Sequence, residues 1–251
     1  MATPLRSSNP ALNSNVFLDS ASGTVAAQDG AMTLNGTVNK TAFLLILVLV
    51  GAMYSWSQSS DLGAMQGLAM VGAIGGFVVA LVTIFKAQWA MFTSPVYALL
   101  EGLFIGAVSS IFEAKYPGIV IQAVGLTFGT MGALLLAYRS GLIRATEKFR
   151  LGVFAATGGV ALFYLASMIG GFFGHPFSVI TSSSPMGIGL SAVIVIIAAL
   201  NLILDFDSIE RGVQARAPKY MEWYGAFGLV VTLVWLYLEF LRLLSKLNSR
   251  N

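Results

Sequence analysis

Between Leu151 and Leu204 the chain runs for 54 residues without an Asp, Glu, Lys or Arg. A spanning helix needs about 20 apolar residues, so this run is too long for one crossing. It breaks at the polar stretch from Gly174-His175-Pro176 to Ser182-Ser183-Ser184-Pro185. Charge-free runs recur between Lys40 and Asp61, between Asp61 and Lys86, and between Lys115 and Arg139. Charges punctuate apolar segments. Only 10% of the 251 residues are charged and 57% are hydrophobic, whereas a soluble domain carries roughly 25% charge. So little charge cannot cover a water-exposed surface. The chain reads as an integral membrane protein.

Seven segments have the length of a span: about 41–57, 62–85, 95–113, 118–138, 150–174, 186–206 and 220–244. They are too long for barrel strands, and an open sheet would leave backbone groups unsatisfied in lipid. The expected fold is all-α, a polytopic bundle of seven transmembrane helices. Pro95 is expected in the first turn of the third helix, and Pro117-Gly118 in a tight turn before the fourth. Residues 1–39 are rich in Ser, Thr, Asn, Ala and Gly and lack a signal-peptide core. They read as a flexible cytoplasmic arm, residues 40–247 as the membrane domain and 248–251 as a short tail. With the amino terminus inside, ten of the 14 Lys and Arg residues fall on the cytoplasmic side and four outside, which favours that orientation. Glycines four apart (Gly72 and Gly76, Gly102 and Gly106, Gly125 and Gly129, Gly170 and Gly174) predict close helix packing.

Composition removes several chemistries. No cysteine is present, and His175 is the one histidine. Disulfides, thiolate sites, multi-histidine metal or haem sites and the His-Glu-x-x-His protease pair are therefore excluded. No lysine or second histidine at span depth can activate a serine. No phosphate-binding glycine loop occurs. Neither enzymatic activity nor a cofactor is expected. The net charge of +3 comes from basic residues between apolar runs, where it sets orientation and does not point to nucleic acid. His175, before Pro176, is expected to be a solvated loop residue.

Ionisable groups at mid-membrane cost at least about 2.5–3.5 kcal/mol each. Four acids fall within the predicted spans: Glu101, Asp205, Asp207 and Glu239. Two readings stand. In the structural one, Asp207 pairs with Arg211 at i,i+4, Glu239 pairs with Arg242 at i,i+3, and Glu101 sits protonated against a neighbouring helix. In the functional one, the acids serve a cation or a proton. Four acids with no Lys or Arg in mid-span favour the second. Asp205 and Asp207, two residues apart, point about 160° away from each other. Glu101, about 9 Å into a helix beginning at Pro95, lies at the predicted depth of Asp207.

The segment Leu202-Ile203-Leu204-Asp205-Phe206-Asp207-Ser208-Ile209-Glu210 closes the sixth helix. The seventh contains Trp235-Leu236-Tyr237-Leu238-Glu239-Phe240-Leu241-Arg242-Leu243-Leu244, and the third opens on Pro95-Val96-Tyr97-Ala98-Leu99. Over residues 40–247 this resembles the Bax-inhibitor (transmembrane Bax inhibitor motif) family, in detail its bacterial branch. The resemblance implies a central last helix and a pH-sensitive calcium leak in the bacterial cytoplasmic membrane. It implies Asp207 and Glu239 as the pH-sensing and gating pair, sharing a proton or a hydrogen-bond network, and the same two acids are the candidate ligands for Ca2+. Glu101 and Asp205 become pathway acids. The family's tethering arginine in the second helix has no counterpart, and Lys86 is its substitute. Asp207 and Glu239 are 32 residues apart, which places Glu239 about 28 Å along a straight seventh helix. Glu101 is then the acid nearer Asp207 in depth. The expected partners are the bilayer and Ca2+ or H+. The alternative is a non-conducting protein that modulates a membrane protease or stress response, docking a membrane partner through its arm.

Overall fold

The computed structural model describes residues 30–174 and 177–250. His175 and residues 1–29 of the arm, with the expectations attached to them, lie outside the described residues. Among the described residues, seven helices are long and apolar enough to cross a membrane. They are α1 (Leu34–Ser57), α2 (Leu62–Phe85), α3 (Ala90–Lys115), α4 (Ile119–Arg139), α5 (Glu147–Phe172), α6 (Pro185–Gln214) and α7 (Met221–Asn248). A 3-10 turn at Ala87–Trp89 precedes α3, and a single helical turn at Ser178–Thr181 precedes α6. The protein is an all-helical, multi-pass membrane protein. Below, the entry side is the side on which α1 begins, and the far side is the other.

Local chemistry sets the helix starts. Thr33, Asp61, Thr146 and Ser184 each accept a hydrogen bond from the backbone N–H three residues on, the side-chain cap that an otherwise unsatisfied helix start requires. Gly118 takes φ +86 before α4, a left-handed conformation that a side chain would strain. Two boundaries differ from expectation. The helix α1 begins at Leu34, so the ordered body includes residues assigned above to the arm. Pro95 lies inside α3 and not in its first turn, because the 3-10 turn starts the helix earlier. Glu101 is therefore about 16 Å into α3, nearer mid-membrane than expected.

The last helix is central. It packs on α1, α3, α4 and α6, and 67% of its most apolar window is buried, against 6% for α5. Lipid tails are as apolar as Leu, so burial alone does not hold helices together in a bilayer; close packing and polar contacts do. Glycines supply the close packing for α3. A Cβ on Gly102 or Gly106 would strike backbone of α1 at Val48 and Ala52. One on Gly72 would come 2.5 Å from the Leu100 carbonyl. Those two pairs pack as their spacing predicts. Gly125 and Gly129 do not, since nothing lies within 4 Å of a Cβ on either. Gly174 serves a different purpose, taking φ +79 just after α5 ends.

Candidate functional site

α5 stands outside the close-packed core and packs mainly on α6. A cavity of about 260 Å³ separates the two near Phe149, Gly152, Ile197 and Leu200. Three polar contacts tie α5 to the rest of the bundle, two to α6 and one to α7. Near the entry side, the Arg150 guanidinium pairs with the Asp207 carboxylate of α6. Midway, the Asn201 amide donates to Thr157 Oγ1 at 2.8 Å. Toward the far side, the Tyr164 hydroxyl donates to Glu239 Oε1 of α7 at 2.9 Å. Arg150, Thr157 and Tyr164 are spaced seven residues apart, so they share one helix face. The two buried apolar residues of α5, Val153 and Val160, fall between them on the same face.

Each end of this stripe is a charge cluster. Asp207 also meets Arg211 at 3.2 Å. The side chains of Arg150 and Asp207 are 6% and 14% exposed, whereas Arg211 is 41% exposed. Arg150 is thus the buried counter-charge, and Arg211 a solvated one that contributes little. Glu239 is chelated by Arg242 Nη1, at 2.9 Å from both carboxylate oxygens. It also accepts from Trp235 Nε1 at 3.2 Å. Arg242 donates to the Tyr164 hydroxyl and its guanidinium carbon lies 5.0 Å from that ring's centre, a cation–π contact.

Asp207 and Glu239 do not meet. Their partners on α5, Arg150 and Tyr164, are about 21 Å apart along the helix axis, so the two acids cannot share a proton or a calcium ion. Each instead neutralises an arginine. No group of three or more metal-ligating side chains occurs among the described residues. Glu101 does not approach Asp207 either. Its carboxylate faces α2, where a Cβ on Gly76 would lie 3.1 Å from Oε2. Asp205 is fully buried in α6. Lys86 caps the end of α2 through its backbone N–H and its side chain is exposed. No salt bridge joins it to an acid among the described residues, so it tethers neither acid.

Two further clusters escaped the sequence reading. Glu222, buried in the first turn of α7, pairs with Lys40 of α1 and with Lys219 at 2.8 Å. It also accepts from the Thr33 backbone N–H at 2.9 Å and hydroxyl at 2.8 Å, joining the starts of α1 and α7. At the far side the buried Lys246 ammonium donates to the Gly187 carbonyl at 2.9 Å and Ser191 Oγ at 2.8 Å. That contact ties the end of α7 to the start of α6.

A family model described as Bax inhibitor 1 like matches residues 9–249. The chain belongs to this family. The match covers most of the segment read above as an arm outside the resemblance, so family membership extends into that segment. No curated protein and no solved structure matches the chain.

Proposed function

We propose that this Bax-inhibitor family member is a pH-gated cation leak of the bacterial cytoplasmic membrane, with its amino terminus inside and calcium as the permeant ion. The observation that carries the proposal is the buried Arg150–Asp207 pair, which fastens the otherwise lipid-exposed α5 to the core. With Asp207 ionised, the pair holds α5 on α6. Protonation cancels the attraction and leaves a buried guanidinium without its counter-charge, an arrangement that favours separation of the two helices.

Separation would uncover a line of oxygens from Asp207 past Asn201 to Glu239, with Asp205 buried beside it. Carboxylate and amide oxygens in irregular geometry suit calcium. The acids therefore act in sequence along the seam and not as a pair. Glu101, facing α2, lies off this line. The leak is expected to rise as pH falls.

The test is calcium flux into proteoliposomes across a pH series. Asp207→Asn should leak at neutral pH and lose its pH dependence. Glu239→Gln should lower calcium flux once the seam is open. If both variants conduct as the parent does at every pH, the proposal is wrong.

A further inference from the structure

α1 and α4 both pack on α7 but make no substantial contact with each other. Between them lies a cavity of about 500 Å³ in the far half of the bundle. Its floor is α7 and α3 at Leu233, Val234 and Ile105, and its walls are α1 from Leu45 to Ser57 and α4 from Val120 to Phe128. Exposed side chains at its edges, Leu49, Met53 and Phe128, show that it opens sideways, toward the bilayer.

The lining is almost wholly apolar, and its hydroxyls are engaged within the protein. Four lining residues, Ser57, Ser109, Thr127 and Tyr237, carry one, and each is already engaged. Ser109 and Tyr237 bond each other at 2.6 Å, Thr127 donates to the Ala123 carbonyl at 2.8 Å, and Ser57 donates to the Tyr54 carbonyl at 2.7 Å. A solute that needs hydrogen bonds loses most of them on entry, whereas a hydrocarbon loses nothing. The wall along α1 is about 18 Å long, against about 15 Å for one leaflet's share of the hydrocarbon core. Trp56 lines the outer end, at the level where indoles favour the headgroup region.

We infer that the cleft between α1 and α4 binds one acyl chain of a phospholipid from the far leaflet. A volume of this size lies within the range of small-ligand pockets, about 300–1,000 Å³. The chain lies along α1 with its headgroup near Trp56, and fills a space that would otherwise be an apolar void. The site is independent of the leak proposed above. It involves neither α5 nor any of the paired acids.

The test uses the full chain in liposomes containing a phosphatidylcholine with a photoactivatable diazirine in one acyl chain, with peptide mapping of the labelled positions. Labelling at Met53 and Phe128 is expected to exceed that at Phe77, an exposed position on α2. Val124→Phe should lower the cleft labelling by about tenfold and leave Phe77 unchanged, because each excluded methylene is worth about a factor of four. Val120→Phe, which fills the cleft at its outer end, replaces Val124→Phe should that variant not fold. Labelling no higher than at Phe77, or unchanged by filling, overturns the inference. Disulfides between two copies carrying Met53→Cys, abolished by Val124→Phe, would overturn it in favour of a second copy.

Discussion

Replacing Asp207 by Asn tests the fastening of α5 directly. The substitution keeps the shape of the side chain but removes its charge, stranding Arg150, whose side chain is 6% exposed. Breaking a buried pair from one side costs about 3–5 kcal/mol. The residual exposure of both partners places this case near the lower end, about 3 kcal/mol. That lowers the ratio of docked to undocked α5 by about 150-fold. Replacing both partners by apolar residues is often nearly neutral, so Arg150→Met with Asp207→Leu should restore docking to within about 1 kcal/mol. The chain has no cysteine, so spin labels can be placed without background. Labels at Leu162→Cys on α5 and Ile196→Cys on α6, both exposed, report the seam by pulsed electron resonance. A control pair, Phe77→Cys and Ile111→Cys, reports the α2–α3 contact. Asp207→Asn should add a longer-distance population at the first pair alone, and the double replacement should remove it. An unchanged distance in Asp207→Asn refutes the reasoning. So does a double replacement as disrupted as the sum of its parts.

Glu222→Gln should lower the detergent unfolding temperature by an amount equivalent to about 2 kcal/mol, since it removes the charge to which Lys40 and the Thr33 N–H and hydroxyl are bonded; Lys219, 45% exposed, adds little. Intact stability would show that Lys40 and Lys219 are held by solvent alone. Gly106→Ala should destabilise the bundle, because the added Cβ meets the Ala52 backbone. Gly125→Ala, with open space around it, should be neutral or gain up to about 1 kcal/mol from helix propensity. Equal unfolding temperatures for these two variants would contradict the packing described here.

The fold was legible because water-soluble charge is so scarce that each charged cluster marks a loop or a helix end. Helix ends shifted where local structure overrode hydropathy: the Thr33 cap starts α1 early, and the 3-10 turn leads into α3 ahead of Pro95. The site was only half legible. The pairs Asp207–Arg211 and Glu239–Arg242 follow from i,i+4 and i,i+3 spacing, and both form. Arg150 was missed because it opens a helix and counts, by position, as an orienting loop charge. The signal that would have found it is its seven-residue spacing from Thr157 and Tyr164 in an otherwise apolar helix. Glu222 was missed for the same reason: it sits in a first turn, where an acid ordinarily complements the helix dipole. Which helices lie next to each other is a tertiary fact, and no spacing within one helix reveals that Asp207 faces α5 and Glu101 faces α2.

The stripe on α5 also works as an alignment code. Its three teeth differ in kind, a cation, a hydroxyl and a phenol, and they meet an acid, an amide and an acid in turn. A slide of two turns would bring Thr157 opposite Asp207 and leave the Arg150 charge with no acid to meet. Polar residues at single positions of an apolar seam fix register in coiled coils at some cost in stability. The same logic gives α5 one seat on the bundle, so if the helix leaves the core as the proposed gating requires, it can return only to the position it left.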